Sequence, residues 1–438
     1  MKHLKRAGAL ALALVLTLTC LSGCKTSSAS TGSFTVPESI DLATVTDPCL
    51  ATSGLTGDTV VATAGEVEIT AAQLLYWIAY SADNLLSYYS MYGLTELPWD
   101  AEADGATLAD SIKKNSLDTA ALYALLPHMG KAEGLEVSEE FTTTFADSLV
   151  QMSETLGGDE LMDHYLWQYP LTRSLYTHLC ESEEINSMLL DVHFGEGTVG
   201  YPTDEQVLSF LEDDQQCYFF KHILLLVEET SDGSGDSSES SSSSATVTDN
   251  SAEQKALAEE LLAQLRASDD PLTLFDQLMN EYSEDGGLTS YPDGYLGTAS
   301  DSAIVGNTMV SVVEDACLSM DDYEISDVLE NTEGSYHGYH IVLKLPLAES
   351  VSADDYRQDY ISVQMDQLQK QWLADNPVVT NENFDKINPS DFYAALTVLR
   401  QAVSDEMEAL DAENSSSSTS ASGSAAPDAS GSASSSQG

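Results

Sequence analysis

The sequence is short of positive charge: 16 lysines and arginines stand against 72 aspartates and glutamates, a formal net charge of −56 over 438 residues. So anionic a surface repels phosphate backbones and anionic headgroups. That excludes nucleic acid as a partner; the charge either serves solubility alone or favours basic or unfolded cationic chains and multivalent cations. Cysteine is scarce as well. Six cysteines are scattered along the chain without a Cys-x-x-Cys pair, so neither a zinc site nor a dithiol redox centre is encoded. No Gly-x-Ser-x-Gly elbow and no His-Glu-x-x-His pair is present, which removes two common hydrolase signatures. The apolar run Ala7–Leu18 is too short to cross a bilayer comfortably.

That run instead reads as the core of a secretory leader. It follows Lys2, Lys5 and Arg6 and closes on Leu21-Ser22-Gly23-Cys24, which resembles a bacterial lipobox. The resemblance implies removal of residues 1–23 and lipidation of Cys24, anchoring the protein to the outer face of the membrane. The Ser/Thr-rich stretch 24–58 reads as a flexible tether. Cys49, Cys180, Cys217 and Cys317 then remain, and outside the cytosol they allow one or two disulfides without fixing a pairing.

Structure is expected from Thr59. A short β-branched run and a turn at Gly65 lead to a helix capped by Thr70, and residues 59–215 keep a helical pattern with breaks at Gly134 and Gly157-Gly158. Between 216 and 349 the pattern becomes mixed. Within it, residues 230–251 are nearly all Ser, Asp, Glu, Gly and Thr and bury too little apolar area to offset ordering entropy, so they read as disordered. Asp232 to Asp236 lack the closing glutamate of a calcium loop. Ser251 to Gln254 form a capping-box pattern, and Asp270-Pro271 starts a second helix. From 350 to 412 two apolar stripes recur at helical spacing, one on Ile361, Met365, Leu368 and Trp372, the other on Phe392, Leu396, Leu399, Val403, Met407 and Leu410. They read as faces packed on the N-terminal helices. Residues 413–438 read as a disordered tail.

Four local words stand in order in the mixed segment: Lys221-His222-Ile223-Leu224-Leu225, Tyr282-Ser283-Glu284-Asp285-Gly286-Gly287, Glu324-Ile325-Ser326 and Gly338-Tyr339-His340-Ile341-Val342-Leu343. Together with the order strand, two helices, strand, helix, strand, strand, they resemble the parvulin-type peptidyl-prolyl isomerases, in the arrangement of PrsA-like and SurA-like foldases. The resemblance implies an α+β chain, with an FKBP-like β-α-β parvulin domain embedded between mostly helical segments.

It also implies a peptidyl-prolyl cis–trans isomerase acting on unfolded or partly folded exported chains with X-Pro bonds, using no metal and no cofactor. By the motif match, His222, His340 and Asp285 form a hydrogen-bonded catalytic cluster, while Leu296, Met309 and Val313 line the pocket for the proline ring. Plainer readings stay open: the histidines as a cross-brace between strands, Asp285 as a turn acid, Met309 as core filler. His337 reads as non-catalytic. Val313 stands where the family usually carries Phe, which leaves a wider cup and favours an alternative reading as a holdase chaperone with a weak or inactive parvulin domain. No basic cluster is present to hold a phosphorylated Ser-Pro client.

Overall fold

The computed structural model describes residues 34–103, 105–228, 250–299, 302, 304, 306–334 and 336–421. Residues 1–33, with the expected leader and Cys24, nearly all of the Ser-rich 230–251 stretch and residues 422–438 lie outside them.

Order begins earlier than the composition suggests. The carboxylate of Asp47 accepts the N–H groups of Cys49 at 2.8 Å and Leu50 at 3.2 Å, and Pro48 fills the first turn of helix α1 (Pro48–Ser53). Cys49 is fully buried there and belongs to the main core. The tether expected through residue 58 is therefore corrected over this stretch, because a capped helix and a buried thiol pin it down.

The helical body follows. Strands β1 (Val60–Ala64) and β2 (Val67–Thr70) form a hairpin, and Thr70 caps α2 (Ala71–Ser90) in a reciprocal box with Gln73. A minimal hairpin, β3 (Glu102–Ala103) and β4 (Ala106–Thr107), precedes α3 (Leu108–Ala132), α4 (Glu139–Leu156), α5 (Asp159–Trp167), α6 (Arg173–Phe194) and α7 (Asp204–Ser209). Helix α4 stops at Gly157, whose φ of +97° a side chain would resist.

The mixed segment folds as β5 (Tyr218–Leu226), α8 (Ser251–Ala267), α9 (Pro271–Tyr282), β6 (Tyr295–Gly297), α10 (Ser311–Ser319), β7 (Leu329–Asn331) and β8 (Gly338–Leu345). The strands make one antiparallel sheet in the order β6-β5-β8-β7. The chain is thus α+β, and the order of its elements is the one the parvulin resemblance predicts. Helices α8 and α9 cover one face, where Ile223, Leu225, Ile341 and Leu343 meet Leu261, Leu265 and Phe275. Helix α10 covers the other, with Val313 and Cys317 against Tyr218, Phe220 and Val342.

Two helix-start details differ from expectation. The N-cap of α8 is Asn250, without a capping hydrogen bond from its side chain. Gln254 is used elsewhere: its amide donates to the Leu226 carbonyl at 2.9 Å, while Asn250 Oδ1 accepts the Glu228 N–H at 2.8 Å. Both side chains strap the end of β5 rather than the helix.

After the sheet come α11 (Leu347–Ser350), α12 (Ala353–Asp375), β9 (Val378–Thr380), α13 (Glu382–Lys386) and α14 (Pro389–Ala421). Strand β9 pairs with β1, and Met365, Trp372, Phe392, Leu396 and Leu399 share one core with Leu74, Ile78 and Leu125. Helix α12 serves two neighbours. Tyr356, Tyr360 and Val363 pack with Phe210, Phe219 and Leu296, and the following turns enter the helical body. Arg357 fixes the helix start by donating to the Pro202 carbonyl and the Asp204 carboxylate, each at 2.5 Å. Helix α14 continues past Asn414, where the disordered tail was expected, because a formed helix propagates through Ser and Ala at small cost.

Candidate active site

The sheet register brings the two histidines together. His222 lies opposite Val342 and His340 opposite Leu224, so the two are diagonal neighbours on one face of the central strands β5 and β8. Their Nδ1 atoms are 3.1 Å apart and their ring planes 25° from parallel. Both rings are buried, at 5% and 1% exposure. The other ring nitrogen of His222, Nε2, lies 3.1 Å from Oδ2 of Asp285.

Asp285 is carried by the turn after α9, and the sequence of that turn explains its position. Strand β6 pairs only with residues 218–220 of β5, leaving the far half of that edge open. The turn closes it. Ser283 Oγ accepts the Leu224 N–H at 3.1 Å, the Glu284 N–H donates to the Leu224 carbonyl at 2.8 Å, and the Glu284 carboxylate accepts the Leu226 N–H at 2.7 Å. The Ser-Glu-Asp-Gly word thus encodes an edge clasp that presents Asp285 to His222. Asp285 also accepts the Gly287 N–H at 3.0 Å and the Tyr295 hydroxyl at 2.5 Å.

With both rings neutral, one set of donors satisfies the whole chain. His222 donates Nε2–H to the carboxylate, so its Nδ1 is an acceptor. His340 then donates Nδ1–H to it, leaving His340 Nε2 to accept the Tyr336 hydroxyl at 3.1 Å. Hydrogen bonds from His222 hold the Asp285 carboxyl well below the usual carboxylate range, with Tyr295 and the Gly287 N–H adding to the effect. Burial pushes His340 down to about 3, so it stays neutral. Burial and the adjacent carboxylate raise the Tyr295 hydroxyl, which remains a donor.

Of the remaining residues expected at the site, Met309 and Val313 share a cluster with Phe220 and Tyr295, next to His222. Val313 is completely buried, so it forms a floor beneath the cluster rather than an exposed wall. Leu296 is not brought to the site. It lies opposite Phe219 in the register and packs with Phe210, Ile304 and Leu347 on the reverse face, because strand alternation turns it away when Tyr295 faces Asp285. His337 stands beside Glu330, its Nε2 3.3 Å from Oε1, outside the chain of hydrogen bonds just described.

Tyr295 and Tyr336 were missed by sequence reasoning. Tyr295 was legible in principle, since alternation puts it on the face opposite to Leu296. Tyr336 lies in a loop, and its reach to His340 depends on the buried Asn331 amide, which donates to the carbonyls of Glu333 and Tyr336 at 3.0 and 2.9 Å.

Foldases of known structure are similar to this chain. The peptidylprolyl isomerase PrsA from Bacillus cereus is 14% identical, over 78% of this chain and 99% of its own, with a TM-score of 0.29. Foldase protein PrsA from Lactococcus lactis is 13% identical over 78% and 99%, with a TM-score of 0.24. A structure of the SurA-like chaperones PEB4 and Cj1289 from Campylobacter jejuni is 13% identical over 63% and 93%, with a TM-score of 0.19. No protein-family model and no curated protein matches the chain.

Proposed function

We propose that this protein is a parvulin-type peptidyl-prolyl isomerase that assists the folding of exported polypeptides at the outer face of the membrane, tethered there through Cys24. The observation that carries the reading is the chain Tyr336–His340–His222–Asp285 set beside the apolar group Phe220, Met309 and Val313.

The chemistry asks little equipment. Rotation of a peptide amide is opposed by about 18–20 kcal/mol because it breaks C–N resonance. That resonance places negative charge on the carbonyl oxygen, and twisting withdraws it. A fixed carboxylate near the oxygen therefore penalises the planar forms more than the twisted one, which is the differential binding catalysis requires. Asp285 supplies the charge, and Tyr295 and His222 hold it still. His222 is itself held by a neutral His340, so the charge is positioned through two buried rings and needs no nucleophile. The half-buried Met309 offers the apolar surface for the proline ring, with Phe220 and Val313 packed beneath it.

A protease-coupled assay of the full chain on X-Pro peptides tests this, with His222→Ala and Asp285→Ala as controls; rates no higher than buffer would defeat it. A holdase reading is favoured by one observation, the turning of Leu296 away from the ring pocket. It predicts that both variants suppress client aggregation as well as the parent does.

A further inference from the structure

The helical body holds a recessed site, apart from the histidine cluster. A cavity of about 420 Å³ opens between α2, α3 and α6, lined chiefly by Tyr76, Trp77, Tyr80, Tyr123, Tyr176 and Glu183. That volume falls in the ~300–1,000 Å³ range of ligand pockets. The rings are closely set. The Trp77 centroid is 4.9 Å from Tyr76, 5.4 Å from Tyr80 and 4.7 Å from Tyr123. Trp77 and Tyr123 are buried, so the half-buried Tyr76, Tyr80 and Tyr176 offer the aromatic surface, whose quadrupole attracts a cation.

Glu183 sharpens the assignment. Its carboxylate stands half-buried on the aromatic wall. Its hydrogen-bond partner is neutral, the Tyr123 hydroxyl at 2.9 Å, and among the described residues no lysine, arginine or histidine lines the cavity. A positive charge at this wall would come from a ligand. Because the carboxylate accepts hydrogen bonds, a cation bearing N–H groups fits better than a quaternary ammonium, which has none. The net charge of −56 steers such cations toward the protein as a whole.

We infer that this aromatic cavity is a receptor for the lysine side chain of a bound polypeptide, its alkyl stem lying along the rings and its ammonium meeting Glu183. Occupancy of the cavity is read without turnover, so it stands or falls independently of isomerisation.

The test is calorimetric titration of the full chain with a blocked pentapeptide, Ala-Ala-Lys-Ala-Ala, and with the same peptide carrying norleucine in place of lysine. The lysine peptide is expected to bind about tenfold more tightly, the size of a desolvated cation–aromatic contact. Glu183→Gln should remove most of that advantage. Tyr123→Phe, which frees the carboxylate of its hydroxyl, should preserve or increase it. Glu154→Gln removes the same charge from an exposed position on α4 and should change nothing. Equal binding of the two peptides overturns the inference, and so does a loss in Glu154→Gln that matches the loss in Glu183→Gln, since the general field would then be responsible. Choline binding as tightly as the lysine peptide overturns it too, by assigning the cavity to a quaternary headgroup. Circular dichroism of each variant separates a lost site from a lost fold.

Discussion

The Tyr336 hydroxyl sits 3.1 Å from Nε2 of His340, at the opposite end of the hydrogen-bond chain from Asp285. His340 is all but sealed from solvent, so this hydroxyl is what satisfies its second nitrogen. Tyr336→Phe leaves a buried acceptor unpaired and should lower unfolding stability by about 1–2 kcal/mol, measured by urea denaturation. Peptide turnover should fall as well, since the His340 tautomer is no longer enforced. Unchanged stability would mean that the hydroxyl contributes nothing to the cluster.

Charge at Asp285 is separable from its geometry. In Asp285→Asn the side-chain oxygen still accepts from His222 and Tyr295, while an amide nitrogen replaces the oxygen that accepted the Gly287 N–H, so the negative charge and that one hydrogen bond are lost. The proposed mechanism then predicts a fall in kcat/KM of about tenfold, near 1.4 kcal/mol of transition-state stabilisation. A variant as active as the parent would leave Asp285 a positioning role only.

Acid should weaken the fold through His340. Its folded value lies at about 3, below the ordinary histidine value of 6.5. Between these limits the unfolded chain takes up a proton that the native ring refuses, so stability falls as pH drops from about 6.5 toward 3 and is unaffected above. The many carboxylates titrate too, and the comparison with His340→Asn isolates the ring. The stability difference between parent and variant should be constant above pH 7 and shrink on acidification. A difference that stays flat through that window would contradict a neutral buried His340.

How much of this was legible follows from which signals are local. The two central strands read directly from the sequence, because a strand buried on both faces is a continuous apolar run, and a histidine inside such a run stands out. The Asp285 turn was readable as a word, although its edge-clasping role was not, since Ser283 and Glu284 meet backbone some 60 residues away. Leu296 was placed on the wrong face because facing is set by register with β5, and a shift of one residue reverses it. The helix at Pro48–Ser53 did carry a signal, Asp47-Pro48, which the Ser/Thr-rich composition around it outweighed.

Val313 gives a prediction in which sequence and structure disagree. By resemblance, a phenylalanine here would complete the proline cup. In the fold, Val313 is fully enclosed by Tyr218, Phe220, Tyr295, Cys317 and Val342. A phenylalanine must therefore displace packed neighbours, and Val313→Phe should destabilise by about 1–3 kcal/mol and lower the thermal midpoint. Higher turnover at unchanged stability would show that the valine is a wall of the cup after all.

Gly287 tests whether Tyr295 and Asp285 act as a unit. A Cβ at Gly287 would sit 2.3 Å from the Tyr295 hydroxyl oxygen, so Gly287→Ala must push that hydroxyl off the carboxylate it contacts. The Gly287 backbone is not left-handed, which leaves this collision as the main effect of the change. Tyr295→Phe removes the same hydrogen bond by another route. If the bond is what matters, each single variant should lose a similar factor in kcat/KM, and the double variant should lose little more, because the second change removes a contact already gone. Fully additive losses would mean that Gly287 acts through some other part of the turn, and that the short bond from Tyr295 does not hold the Asp285 charge in place.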